Sequence, residues 1–196
     1  MAFTLDFPIV TARLRLRLFA PTDLDALHRI YARDDVARYL YTEPMTRAEA
    51  TTQLEKRLGR TALTAEGGNL GLAVERQDTA GELIGDVMLF WADLENRQGE
   101  IAFVFHPDHH GQGFAREASE AVLRLGFDSY GLHRVVGRCE ARNTASARLL
   151  ARLGMRQEAH FRQNGFVKGE WTDELVYAIL AEEWRASPRS AVDGRQ

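Results

Sequence analysis

At 196 residues, 45% of them hydrophobic, the chain has the size and composition of one domain folding around its own core. The formal net charge is -3 and the 25 basic residues, of which only Lys56 and Lys168 are lysine, are dispersed; no nucleic-acid-binding surface is expected. Cys139 is the one cysteine, which excludes a disulfide framework or a thiolate zinc site within the chain. No basic segment precedes an apolar leader and no 18 apolar residues run together, so a cytoplasmic protein with no membrane partner is expected.

The alternation Arg13-Leu14-Arg15-Leu16-Arg17-Leu18 predicts a strand with one buried face, and Leu24, Leu27 and Tyr31 at helical spacing predict a helix within 21–32. Thr46 and Glu49 make a capping-box pattern ahead of Leu54 and Leu58, which predicts a second helix ending near Gly59. After Gly67-Gly68-Asn69 come three apolar, β-prone runs, 70–76, 82–91 and 99–106. A plausible hairpin turn, Asp78-Thr79-Ala80-Gly81, joins the first two, and the three read as an antiparallel meander. Phe114, Ala118, Val122 and Leu125 then form one face of a helix that ends near Tyr130-Gly131. A strand over 134–140, a helix capped by Asn143 and stopped at Gly154, and two strands near 158–167 and 170–180 complete the domain, 1–186. Residues 187–196 read as a flexible tail.

The segment Phe105-His106-Pro107-Asp108-His109-His110-Gly111-Gln112-Gly113-Phe114-Ala115-Arg116 carries the most chemistry. An apolar strand passes through a glycine-bearing turn directly into an amphipathic helix. Glycines can adopt left-handed angles that aim successive amides inward, and the positive end of the helix dipole lies at the same place, so the segment predicts an anion cradle. His106, His109 and His110 are poorly spaced for a metal, and no metal is expected. A phosphotransferase is disfavoured, because no Gly-Lys-Ser/Thr follows the turn.

Four blocks in order carry a family resemblance: Thr11-x-Arg13-Leu14-x-Leu16-Arg17, His110-Gly111-x-Gly113-Phe114-Ala115-x-Glu117-Ala118, Asn143-x-x-Ser146, and Gly169-Glu170-Trp171-x-Asp173. The chain resembles the GNAT acetyltransferases over nearly its whole length, and within them the Rim-type branch that acetylates ribosomal-protein N-termini. The resemblance implies an α/β (α+β) GNAT fold: a splayed, mostly antiparallel mixed sheet of about seven strands flanked by about four helices. It implies acetyl-CoA as cosubstrate, with the pyrophosphate on the amides of residues 111 to 116 (Gly111, Gln112, Gly113, Phe114, Ala115, Arg116). The pantetheine arm would lie beside Phe103, Val104 and Phe105, a sheet edge bonding it like a further strand. His110 stands where the family prefers arginine or glutamine; either its imidazole faces the phosphates or it points into water and only its amide matters.

Acetyl transfer to an amine needs a base, a donor for the developing oxyanion, and an acid for the departing sulfur. The resemblance nominates Glu100 as the base, the alternative being an ordinary strand-end carboxylate. It nominates Ser146 as the acid beside a cofactor-binding Asn143, although asparagine and serine are also ordinary residues of a helix start. Leu150 stands where many relatives carry an acid tyrosine. An oxyanion donor could be a backbone amide near Phe105. Cys139 reads as a small buried residue rather than an acyl carrier, which favours direct transfer in a ternary complex. An α-amine with a pKa near 8 asks only about 1 kcal/mol for deprotonation at pH 7, against about 4 to 5 for lysine, so a protein N-terminus is the favoured acceptor. A small-molecule amine acceptor, such as an antibiotic or polyamine, and a noncatalytic acyl-CoA sensor are the alternatives. A homodimer is possible.

Overall fold

The computed structural model describes residues 7–63, 68–79 and 81–187. Eight strands form one sheet: β1 (Ile9–Val10), β2 (Leu14–Leu18), β3 (Asn69–Arg76), β4 (Leu83–Asp93), β5 (Gln98–Phe105), β6 (Arg134–Glu140), β7 (Arg156–Val167) and β8 (Glu170–Leu180). Their spatial order is β1-β2-β3-β4-β5-β6-β8-β7, antiparallel throughout except for the parallel pair β5–β6. The helices are α1 (Leu24–Tyr31), α2 (Asp34–Ala37), α3 (Arg47–Leu58), α4 (Phe114–Arg124), α5 (Thr144–Arg152) and α6 (Ala181–Ala186).

The mixed, mostly antiparallel architecture is as expected, with one more strand and two more helices than the sequence suggests. β1 has two residues and α2 four, too short for either periodicity to register. β7 begins two residues earlier than expected, at Arg156. The Thr46–Glu49 capping box is formed: the Thr46 hydroxyl accepts from the Glu49 amide at 3.3 Å, and the Glu49 carboxylate accepts from the Thr46 amide at 2.8 Å. α4 runs into a π-helical turn over Leu125–Ser129 before Gly131, at φ +66°, turns the chain toward β6. Ala80 of the expected hairpin turn, Gly67 and the tail from 188 onward lie outside the described residues.

Alternation along β5 divides the molecule into two layers. Ile101 and Phe105 pack with Phe114, Ala118 and Val122 of α4, while Val104 packs on the opposite face with the cluster of Leu27, Ile30, Tyr31 and Leu54 from α1 and α3. Two glycines permit close approaches on the α4 side. A Cβ at Gly85 would lie 2.6 Å from the Phe105 ring, and one at Gly137 would lie 2.4 Å from Leu150 Cδ2.

A buried polar triangle fixes α1 and α3 to the other face. Tyr31 Oη donates to Asp86 Oδ1 at 2.7 Å, Arg57 Nε donates to Asp86 Oδ2 at 3.1 Å, and Arg57 Nη2 donates to Tyr31 Oη at 2.8 Å. Burial, and then the Asp86 charge, push the Tyr31 phenol well above its ordinary value. Removing one member of a buried pair strands the other charge. Asp86→Ala is therefore expected to lose roughly 3–5 kcal/mol in urea unfolding; a loss below about 1 kcal/mol would mean that water can replace the carboxylate.

Candidate active site

The parallel ladder between β5 and β6 is short: Gln98 faces Arg134, Gly99 faces Val135, Glu100 faces Val136 and Ile101 faces Gly137. Among the described residues, β5 keeps only β4 as a ladder partner beyond Ile101, and β6 keeps only β8 beyond Gly137. The two strands therefore splay into a V whose apex lies at Glu100 and Ile101. The inner edge from Ala102 to Phe105 offers backbone donors and acceptors to an added extended group. A cleft beyond the carboxyl ends of diverging parallel strands is where open α/β sheets receive ligands.

At the end of the β5 arm, the glycine turn has the expected form. Gly111 and Gly113 have φ of +75° and +82°, and Gly113 is the N-cap of α4. The Glu117 amide donates to the Gly113 carbonyl at 3.0 Å, so the amides of Phe114, Ala115 and Arg116 precede the helical ladder. These donors, with the helix dipole behind them, suit an anionic group such as a pyrophosphate.

His110 is exposed, and its Nε2 lies 3.0 Å from the Phe105 carbonyl, tying the turn back to the strand end. Gln112 Nε2 donates to the Asp108 carbonyl at 3.1 Å, and Arg116 Nε donates to Glu120 at 2.9 Å. Phe103 and Phe105 face α4, whereas Val104 faces α1 and α3, so the three share the strand edge and not a side-chain surface. His106 Nδ1 accepts from the Asp108 amide at 3.3 Å, and among the described residues no three metal-ligating side chains converge.

Three residues quoted only as part of a motif turn out to hold the cradle in place. Glu117 Oε1 accepts from the Thr11 hydroxyl at 2.6 Å and from the Arg13 amide at 2.8 Å, and Oε2 accepts from Arg13 Nε at 2.7 Å. Arg13 Nη1 donates onward to the Gln112 carbonyl at 2.9 Å, and the guanidinium lies 4.6 Å from the Phe114 ring centre. This clamp joins the start of β2 to the start of α4. Their presence in the Thr11-x-Arg13 and Glu117-Ala118 blocks was the available signal; the pairing across more than a hundred residues was not.

At the end of the β6 arm, Asn143 caps α5 by accepting from the Ser146 amide at 3.1 Å. Leu150, on the same helix, is buried against Gly137 and occupies core rather than cleft. Cys139 is buried on that side too. Burial first, then the charges of Glu140 and Glu174, push its thiol up to about 11. Trp171 is exposed and packs edge-to-face on Phe166, while Tyr177 belongs to the core.

Glu100 lies on the opposite face of the sheet from α4 and α5, half-buried. Burial raises its carboxyl above the usual range, opposed by Arg138, whose Nε is 3.4 Å from Glu100 Oε2, and assisted by the Glu174 charge. Tyr41, whose phenol is raised by burial and then by Glu174, donates to Glu174 Oε1 at 3.4 Å.

The family described as acetyltransferase (GNAT) domain matches residues 13–156. The chain belongs to the GNAT acetyltransferases. YnaD, an uncharacterized N-acetyltransferase of Bacillus subtilis, is 32% identical over 176 residues, 90% of this chain and 98% of the relative. A GNAT-family acetyltransferase from Bacillus anthracis has a crystal structure that superposes with a TM-score of 0.78 at 31% identity, covering 90% of this chain and 99% of that one. The spermidine N(1)-acetyltransferase of Vibrio cholerae is 25% identical over 175 residues, 89% of this chain and 97% of the relative. The ribosomal protein uS5-alanine N-acetyltransferase of Escherichia coli is 30% identical over 74 residues, 38% of each chain. As a GNAT protein, the chain is an acetyl-CoA-dependent N-acetyltransferase acting on an amine. No described helix is long and apolar enough to cross a membrane.

The clamp ties acid stability to the cradle. Glu117 is partly desolvated, which opposes its charge, but the bonds from Thr11 and Arg13 prevail and hold its carboxyl below the usual range. A carboxyl depressed in the folded state stabilises fully above its unfolded value, near ~4.3, and that contribution fades as pH falls through the folded value. Between pH 5 and pH 3 the melting temperature of the native protein is thus expected to drop more steeply than that of Glu117→Gln, measured by scanning calorimetry. Glu117→Ala, which also releases Arg13 from the turn, is expected to weaken coenzyme A binding by about tenfold in titration calorimetry.

Proposed function

We propose that residues 1–186 form one acetyltransferase domain, related to the Rim-type branch, that moves acetyl from acetyl-CoA directly to a protein N-terminal α-amine in a ternary complex. The observation that carries this reading is the half-buried Glu100 carboxylate at the apex of the β5–β6 cleft, opposite the cradle side of the sheet. Two substrates can then approach from the two faces. The amides of residues 111 to 116 would hold the pyrophosphate, and the edge Phe103–Phe105 would hold the pantetheine arm. His110 would steady the turn through Phe105 while Asn143 orders the start of α5.

Glu100 takes the proton from the attacking amine, and its raised affinity for protons, caused first by burial, suits a base for an amine. Ser146, in the first turn of α5, supplies the proton to the departing sulfur. A backbone amide near Phe105 stabilises the oxyanion. Direct transfer is favoured over a cysteine intermediate, because a thiol near 11 is ionised to only about one part in ten thousand at pH 7.

The polyamine alternative has its own support, since the likeness to the spermidine enzyme runs nearly end to end while that to the uS5-alanine enzyme covers 38% of the chain. An acceptor screen with labelled acetyl-CoA against free-N-terminus peptides and polyamines decides between them. Turnover of peptides but not of spermidine or spermine is expected. Glu100→Gln is expected to lower kcat/KM about a hundredfold with coenzyme A affinity essentially retained, and Ser146→Ala to lower kcat across the pH range. Coenzyme A binding without turnover of any amine would turn the reading to a sensor.

A further inference from the structure

The cluster around Glu100 contains more charge than a base requires. Arg138 of β6 reaches it along the same face, one pleat beyond Val136, its directly paired neighbour. The same guanidinium places Nη1 3.3 Å from Glu174 Oε2 on β8, so one fork spans two carboxylates on different strands. Glu174 is held from two further elements, by the Asn164 side-chain amide of β7 at 2.9 Å and by the Tyr41 phenol from the segment after α2 at 3.4 Å. From β4 the residue opposite Glu100 is Phe90, which brings no charge. Among the described residues, the titratable and charged groups acting on Glu100 are Arg138 and Glu174, with Tyr41 against Glu174.

We infer that Arg138 is a positioning residue whose guanidinium, bridging Glu100 and Glu174, holds the Glu100 carboxylate at the apex of the cleft in its ionised form. This rests on the assignment of Glu100 as base. The geometry suits arginine specifically. A planar fork presents separate nitrogens to two acceptors at once, whereas an ammonium is a point donor on a flexible stem and can serve the bridge only in part. Without the bridge, Glu100 would keep a desolvated position and a like-charged neighbour, and both favour the protonated acid, which cannot accept the amine proton. Arg138 itself is 42% solvent-exposed on its side chain.

The test reads Glu100 directly. Protein labelled with carbon-13 at glutamate carboxyls is titrated by NMR, and the Glu100 resonance is assigned by its absence in Glu100→Gln. In Arg138→Met the Glu100 midpoint is expected to rise by about one pH unit, the low end for losing a close opposite charge at a partly exposed site. Arg138→Lys should fall between Met and the native protein. An unmoved midpoint in folded Arg138→Met, with folding checked by thermal melting, overturns the inference.

The pH profile of kcat/KM links the titration to catalysis, using an alanine-initiated hexapeptide or spermidine, whichever is turned over. The acid limb should move upward with the NMR midpoint, so that activity falls about tenfold below the limb and little above it. A moved midpoint with an unmoved limb also overturns the inference. Full activity in Glu100→Gln would instead overturn the base assignment, an outcome distinct from either.

Discussion

The structure turns on how early β5 and β6 part. Four paired residues hold two parallel strands together, and the next step takes each to its outer neighbour alone. Exposed strand edges are ordinarily a liability, because unpaired amides and carbonyls invite another strand. Here the edges face each other across a wedge, where a narrow extended molecule can satisfy them but a folded chain cannot readily enter. Each arm packs closely on a glycine. On one, the Phe105 ring lies on Gly85; on the other, Leu150 lies on Gly137, and neither contact would survive a side chain at the glycine.

The wedge alone would not orient a ligand; in the proposed function the pieces at its ends do so. On the β5 side, three hydrogen bonds converge on the Glu117 carboxylate, and Arg13 carries the restraint on to the Gln112 carbonyl. An isolated exposed ion pair contributes only about 0–1 kcal/mol. The convergence of charge-assisted and backbone donors on one carboxylate makes this clamp a positional restraint more than a store of stability. For the proposed pyrophosphate site it also removes a repulsion: a first-turn carboxylate would repel an anion, and Arg13 offsets that charge within 2.7 Å.

What the sequence made legible is what short-range physics determines. The Thr46–Glu49 box, the Asn143 cap and the left-handed glycines 111 and 113 are interactions within four residues, and all are present. Strand alternation and the α4 stripe follow from periodicity against a core. The missed contacts are those made between distant segments by topology: Thr11 with Glu117, Arg138 with Glu174, and Tyr41 with Glu174. His110 shows a different limit. Its side chain bonds a carbonyl only five residues back, but that choice depends on the path of the turn, which composition does not specify.

The face of the sheet that α1 and α3 cover holds two arginine–carboxylate groups of similar composition and opposite character. Arg57, Asp86 and Tyr31 form a triangle with side-chain exposures of 3% for Arg57 and 1% for Asp86, each member bonded to the other two and Arg57 Nη1 held besides by Gln53. Such a network has no capacity for exchange; opening it would strand a charge, so it serves as a rigid joint. Arg138, Glu100 and Glu174 make longer contacts, 3.3 to 3.4 Å, with side-chain exposures of 42%, 32% and 13%. Water and a visiting amine can compete for those lone pairs at modest cost, because the pairs were never fully desolvated. The base role proposed for Glu100 calls for that intermediate solvation: enough burial to raise its proton affinity, and enough access to let the proton leave.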